Sequence, residues 1–274
     1  MLLYLWMIVQ VICESLPISS SGHVVLLQQI FDQYQLGSYS VESLQLDQSL
    51  WAFDYALQGV STVIFFLYFF PSWWKLIVNK PVHLTSLWDL NLWKSTIFSV
   101  FLFGFIADGV TFLLWGYDLA HKIDFPLSLG FLITAGSLWS IQFTREKKDI
   151  NIWSLRSGLI VGFVQGCALF PGVSRFATTV AALQWLGYRG RVAFVVSFLL
   201  QWPLITAGSI KGLYCLQDSS ILKSICNIPF VMALLASAFV AYSLLYCIEK
   251  IIDKDRLWKF SYYMILPTIV ALLV

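Results

Sequence analysis

Two short stretches of this 274-residue chain carry most of the side chains able to do chemistry. The first is Glu14-Ser15-Leu16-Pro17-Ile18-Ser19-Ser20-Ser21-Gly22-His23, a carboxylate followed by hydroxyls, a glycine and an imidazole. The second is Phe170-Pro171-Gly172-Val173-Ser174-Arg175, followed by Thr178 and Thr179. Proline, glycine and serine break a helix, and a break leaves unpaired N–H groups where the next helix begins. Those groups and the helix dipole attract anions. Arg175 adds a planar fork suited to phosphate oxygens. The hydroxyls of Ser19, Ser20, Ser21, Ser174, Thr178 and Thr179 can donate to a phosphate, and a hydroxyl can attack one. His23 can shuttle a proton near neutral pH. Glu14 can hold a divalent cation or act as a base. Serines that only satisfy helix ends are the plainer reading for any single residue. The whole set opposite one arginine reads as a phosphate site with a nucleophile.

Both stretches interrupt apolar sequence. A spanning helix needs about 20 mostly apolar residues. Six segments qualify or come close: 51–70, 93–114, 126–143, 192–210, 227–247 and 259–274. Residues 1–31 and 153–186 are apolar too, but each is divided by one of the two breaks. Non-helical backbone at membrane depth survives only where protein or a water-filled cavity satisfies it. Each divided segment is therefore expected to be a re-entrant helical hairpin, with the two tips meeting inside the protein.

The basic residues orient this layout, because positive charge concentrates in cytoplasmic loops. With residues 1–50 outside, 13 of the 17 Lys and Arg fall inside, from Lys75 to Lys259. Lys122, Lys211 and Lys223 fall outside, and Arg175 lies at a break. The split requires each divided segment to return to its starting side. Both termini are then expected outside.

The two breaks also resemble each other. Aligning Pro17 with Pro171 sets Ser20 opposite Ser174 and Ser21 opposite Arg175. A glutamine precedes each break (Gln10, Gln165), one position out of register, and a span beginning Ala-Phe follows each. The expected fold is all-α and polytopic. It is an inverted-topology repeat with six transmembrane helices and two re-entrant hairpins, in one membrane domain. Repeat one covers about 1–143, with its hairpin at 1–31. Repeat two covers about 153–274, with its hairpin at 153–186. Such folds place the site at the repeat interface, on discontinuous helices.

Composition agrees with a membrane location. The chain is 59% hydrophobic and 12% charged, against about 25% charged in a soluble domain. Its mean hydropathy is +0.78. This excludes a soluble enzyme, a disordered chain and a nucleic-acid binder with a basic face. No Lys or Arg precedes Lys75, so the apolar start lacks the basic region of a signal peptide and is expected in the mature protein. The five cysteines have no metal-ligand spacing. They read as small buried hydrophobes, apart from a Cys215–Cys226 pair that could form in an oxidising compartment. Asp54 and Asp108 are the other charges within spans. Asp54 lies four residues before Gln58 on one helix face, which predicts a hydrogen-bonded pair. Asp108 is expected near a span end.

Residues 14–23 resemble the first signature of the undecaprenyl-pyrophosphate phosphatases, the bacitracin-resistance protein family: E-x-x-x-E-F-L-P-[IV]-S-S-[TS]-G-H. Pro171-Gly172-Val173-Ser174-Arg175 with Thr179 resembles the second, P-G-x-S-R-S-G-A-T. Ser197-Phe198-Leu199-Leu200 with Pro203 and Phe53-Asp54 with Gln58 are similar to further family patterns, in the expected order. The resemblance implies a multi-pass enzyme of the bacterial inner membrane. It would remove the terminal phosphate of the C55 isoprenoid pyrophosphate used in cell-wall synthesis, at a site opening toward the periplasm. It implies support by Mg2+ or Ca2+, and bacitracin as a competitor for the lipid. It leaves room for a homodimer and implies no nucleic-acid partner. Glu14, Ser20, His23, Ser174, Arg175 and Thr179 carry over as functional residues.

Three departures stand out. Gln10 replaces the first glutamate of the family's pair. Its amide can still ligate a hard cation through oxygen, but it cannot act as a base. Phe176 and Ala177 replace Ser-Gly after the arginine. The span beginning near Lys94 lacks the family's proline.

The expected function is thus hydrolysis of a lipid pyrophosphate. Arg175, Ser174, Thr178, Thr179, Ser19 and Ser21 would hold the phosphates. Ser20 would attack with His23 as proton partner, or His23 would attack with Ser20 as ligand. Glu14, with Gln10, would bind the cation, or Glu14 would activate water. The alternative is a polyprenyl-phosphate transporter or flippase of the same fold.

Overall fold

The computed structural model describes residues 2–34, 46–78, 106, 109–110, 113, 125–144, 155–217 and 227–274. Its regular elements are helices. In chain order they begin with α1 (Leu2–Glu14), α2 (Ser20–Gln33), α3 (Leu46–Val78) and α4 (Leu127–Ser140). Then come α5 (Leu155–Cys167), α6 (Arg175–Trp185), α7 (Gly190–Leu216), α8 (Ile228–Asp253) and α9 (Phe260–Leu273). Short 3-10 turns, Ile141–Phe143 and Leu257–Lys259, follow α4 and precede α9.

Among the described residues, three helices are long and apolar enough to cross a bilayer: Ala52–Trp74 within α3, α7 and α8. The 27 residues of α7 extend roughly 40 Å, more than the ~30 Å hydrocarbon core. The chain is a polytopic membrane protein. Segments 126–143 and 259–274 form shorter apolar helices, Leu127–Phe143 and Leu257–Leu273. Most of segment 93–114, with Asp108, lies outside the described residues, as does Cys226. Val63, Leu67, Leu235, Phe239 and Leu266 are exposed. So large an apolar exterior suits lipid rather than water.

The core is the seam between α3 and α7. Phe65 packs edge-on against Phe198, ring centroids 4.6 Å apart, and Phe69 stacks on Phe198 at 4.7 Å. Phe176 of α6 joins this cluster through Phe194 and Phe198. Farther along α7, Gly208 and Gly212 are spaced as in small-residue membrane interfaces. A Cβ on Gly212 would run into the Ala56 backbone nitrogen, so the two helices meet backbone to backbone.

The remaining helices pack around this seam. α4 lies along α9, α1 along α8, and α6 along α7. Tyr4 of α1 donates to Asn227 Oδ1 (3.0 Å), and the same oxygen caps α8 by accepting from Phe230 N (2.9 Å). Tyr68 of α3 and Arg191 of α7 both hydrogen-bond Glu249 of α8. This polar clasp joins three helices at the start of α7.

Candidate active site

Each break ends in a serine that caps the following helix. Ser19 Oγ accepts from Gly22 N (3.1 Å), and Ser174 Oγ accepts from Ala177 N (3.2 Å). Both serines have extended backbone, as N-caps require. Both are nearly fully buried. Thr134 of α4 secures the second break. Its hydroxyl accepts from Ser174 N (2.8 Å) and donates to Gly172 O (2.7 Å).

The two breaks touch. A Cβ on Gly22 would lie 2.7 Å from Gly172 Cα. Gly172 has φ of +86° and packs against α4, where its own Cβ would lie 2.7 Å from Leu127 O. Only glycine fits that conformation and that distance. The two helix N-termini are thereby brought side by side.

Between them lies a small polar cavity of ≈ 60 Å³, room for a few water-sized groups at ~10–15 Å³ each. Glu14, Ser19, Ser20, Ser21, Ser174 and Arg175 line it, with Gln58 from α3 and Gln201 from α7. Arg175 is half-buried and lies within electrostatic reach of Glu14 and Tyr55. Among the described residues its guanidinium makes no hydrogen bond and no ion pair. Glu14 is held instead by Gln10 Nε2 (3.1 Å) and Ser61 Oγ (3.2 Å). Nor does Asp54 pair with Gln58. It accepts from Trp6 Nε1 (3.3 Å), which leaves Gln58 to face the cavity.

Not every residue singled out in the sequence faces this space. The His23 ring is fixed by Ser19 O at Nδ1 (2.6 Å) and the Tyr263 hydroxyl at Nε2 (3.0 Å). It also stacks on Tyr263 and meets Phe131 edge-on. Thr179 donates to Arg175 O (2.6 Å) and pairs with Ser197 Oγ (2.5 Å). Thr178 donates to Ser174 O (2.9 Å) and faces a second, apolar groove of ≈ 480 Å³. That groove shares Ala168 and Val173 with the polar cavity.

Among the described residues, no group of three His, Cys, Asp or Glu side chains could hold a metal ion. Oxygen donors suited to a hard cation are present in smaller number. Glu14 is one, and Gln10 Oε1 is another, buried and without a hydrogen-bond partner. Magnesium is often held by one or two protein oxygens with phosphate oxygens completing the shell. Glu14 lines the cavity and fits that pattern, whereas Gln10 turns its Nε2 toward Glu14 and its buried Oε1 away from the cavity.

The family described as bacitracin resistance protein BacA matches residues 4–270. The chain belongs to this family. Undecaprenyl-diphosphatase 1 of Bacillus cereus is 29% identical over 269 residues, covering 96% of this chain and 93% of that protein. The undecaprenyl-diphosphatase of Thermotoga maritima is 29% identical over 271 residues, covering 97% of each. That of Thermotoga petrophila is 28% identical over 270 residues, again 97% of each.

In this BacA-family chain, sequence reasoning assembled Glu14, Ser19, Ser20, Ser21, Ser174 and Arg175, and all six line one cavity. It passed over Gln201 and Thr134. A single amide or hydroxyl inside an apolar span gives no signal until packing shows what it faces.

Proposed function

We propose that the protein is an undecaprenyl-diphosphate phosphatase of the bacterial inner membrane, releasing inorganic phosphate and leaving the C55 monophosphate. One observation carries this reading. The Arg175 guanidinium, unpaired among the described residues, shares a cavity with two capped helix N-termini. That arrangement suits an anion: N–H dipoles and a fork of donors with no carboxylate bound among the described residues. Family membership, and relatives named for this activity across nearly their whole length, support it.

The chemistry follows from the lining. Arg175 and the break N–H groups hold the diphosphate. Ser20 Oγ, which has no hydrogen-bond partner among the described residues, attacks the terminal phosphorus. The bond from that phosphorus to the bridging oxygen breaks, and the lipid monophosphate leaves. Water then releases phosphate from the serine. Glu14 shares the cavity with Ser20, where in this reading it either activates the water or binds the cation. His23 lies three residues along α2 from Ser20 and becomes a proton partner or nucleophile only if it gives up Tyr263. In this reading Glu14 would hold a divalent cation, with Gln10 as a second ligand once its amide turned over, and the cation would neutralise phosphate charge. Positioning and charge stabilisation supply most of such catalysis.

The proposed topology has six spans and two re-entrant hairpins in two inverted repeats, with both termini and the cavity mouth on the periplasmic side. The charge distribution and the contact between the two breaks support it. A second reading, a polyprenyl-phosphate carrier, draws on the apolar groove beside the cavity. Phosphate release from C55 or C15 isoprenoid diphosphate, assayed in detergent with Mg2+, Ca2+ or chelator, separates the two. The absence of turnover under every metal condition favours the carrier.

A further inference from the structure

We propose that Tyr263 of α9 is a positioning residue for the first helix break, acting through the imidazole of His23. The proposal rests on the phosphatase reading of the cavity and gives His23 a part in it: a link between α9 and the serines that face the phosphate. The hydrogen bonds fix the direction of this link. Ser19 O can only accept, so His23 Nδ1, 2.6 Å away, carries the proton. In the neutral ring Nε2 is then a lone pair, and it accepts from the Tyr263 hydroxyl at 3.0 Å. Tyr263 also stacks on the imidazole, the ring planes 10° apart, and Phe131 meets it edge-on at a centroid distance of 5.3 Å.

The link holds the start of α2. Ser19 Oγ caps that helix through Gly22 N (3.1 Å) and meets Ser21 Oγ (3.3 Å). Ser20 stands between them, and all three serines line the polar cavity. With Ser19 O tethered to His23, and His23 to Tyr263, the aim of these hydroxyls depends on α9. The second break has a matching brace. Thr134 of α4 donates to Gly172 O and accepts from Ser174 N. Each brace comes from the other half of the chain: Thr134 holds the second break, and Tyr263 holds the first. Since α4 and α9 pack along each other, one helix pair steadies both walls of the cavity. Small misplacements of reacting groups are costly in rate, and a brace at each break limits them.

The test is a double-mutant cycle on farnesyl diphosphate. Tyr263→Phe keeps the stacked ring and removes the hydroxyl. His23→Phe keeps a ring against Phe131 and removes both hydrogen bonds. Tyr263→Phe should lower kcat about 3–10-fold, the value of one neutral hydrogen bond, with KM changed less than about twofold. In the His23→Phe background the same substitution should cost less than about twofold, because Tyr263 acts through the imidazole. A loss of equal size in both backgrounds makes Tyr263 an independent packing residue and overturns the proposal. A Tyr263→Phe kcat within about twofold of wild type overturns it and leaves the phosphatase reading standing. A rise in kcat overturns it too, by showing that the hydroxyl withholds His23 from the reaction. If wild type shows no turnover, the phosphatase reading fails. In that case, or if His23→Phe is inactive, the pyrophosphate-induced shift in melting temperature decides. A shift smaller in Tyr263→Phe than in wild type, and equal in His23→Phe and the double variant, upholds the brace. An equal shift in wild type and Tyr263→Phe, a further loss in the double variant, or no shift in wild type overturns it.

Discussion

Gly22 and Gly172 hold the two helix breaks together: a Cβ on the first would lie 2.7 Å from the Cα of the second. The residues come from opposite halves of the chain. Their contact sets the capped start of α2 beside the capped start of α6 and fixes the width of the polar cavity.

Replacing Gly172 should therefore cost both stability and activity. Gly172→Ala would strain a backbone at φ +86° and press a methyl against Leu127 O. We expect a loss of about 1–3 kcal/mol, read as a lower melting temperature in detergent, with phosphate release nearly abolished. Gly136→Ala is the control. Nothing lies within 4 Å of a Cβ there, and both measurements should match wild type.

Thr134 offers a gentler test of the same device. Thr134→Val keeps the shape and removes the hydroxyl that bridges Gly172 O and Ser174 N. Two buried backbone groups lose a partner, at about 1–3 kcal/mol each. Turnover should fall with a larger effect on kcat than on KM, since the second break, not the lipid groove, is loosened.

Much of this site was legible in the sequence, for a physical reason. Glu14, Arg175 and the serines are polar groups in apolar surroundings, and Pro and Gly beside them mark where helices must break. Facing was not legible. Thr178 and Thr179 read as phosphate ligands, yet each hydroxyl bonds a carbonyl one turn back, as any helical Thr can. His23 read as a partner for Ser20, but Tyr263, 240 residues away, holds its Nε2. Asp54 read as the partner of Gln58, and the indole of Trp6 took that place. The last two outcomes depend on a helix that only tertiary packing brings alongside. Among the described residues, three helices are long enough to cross and two expected spans are shorter apolar helices, while most of the expected span 93–114 lies outside them.

Gln10 gives a prediction about the cation. Its Nε2 donates to Glu14, and its Oε1 is an orphan. Gln10→Glu would set a second carboxylate beside the first. The metal concentration for half-maximal phosphate release should fall about tenfold or more, as added ligand charge raises affinity. Without metal the two carboxylates repel, so the variant should be less active than wild type in chelator. Equal metal dependence in both proteins would remove Gln10 from the cation site.

The central claim is that Arg175 faces a phosphate between two helix breaks. The most direct measurement is the initial rate of phosphate release from an isoprenoid diphosphate by wild type and Arg175→Ala, purified alike and of equal melting temperature. The account predicts turnover by wild type and a loss of at least about 10²–10³-fold in the variant, the scale of removing one preorganised donor from a developing charge. An Arg175→Ala protein within a few-fold of the wild-type rate would contradict it.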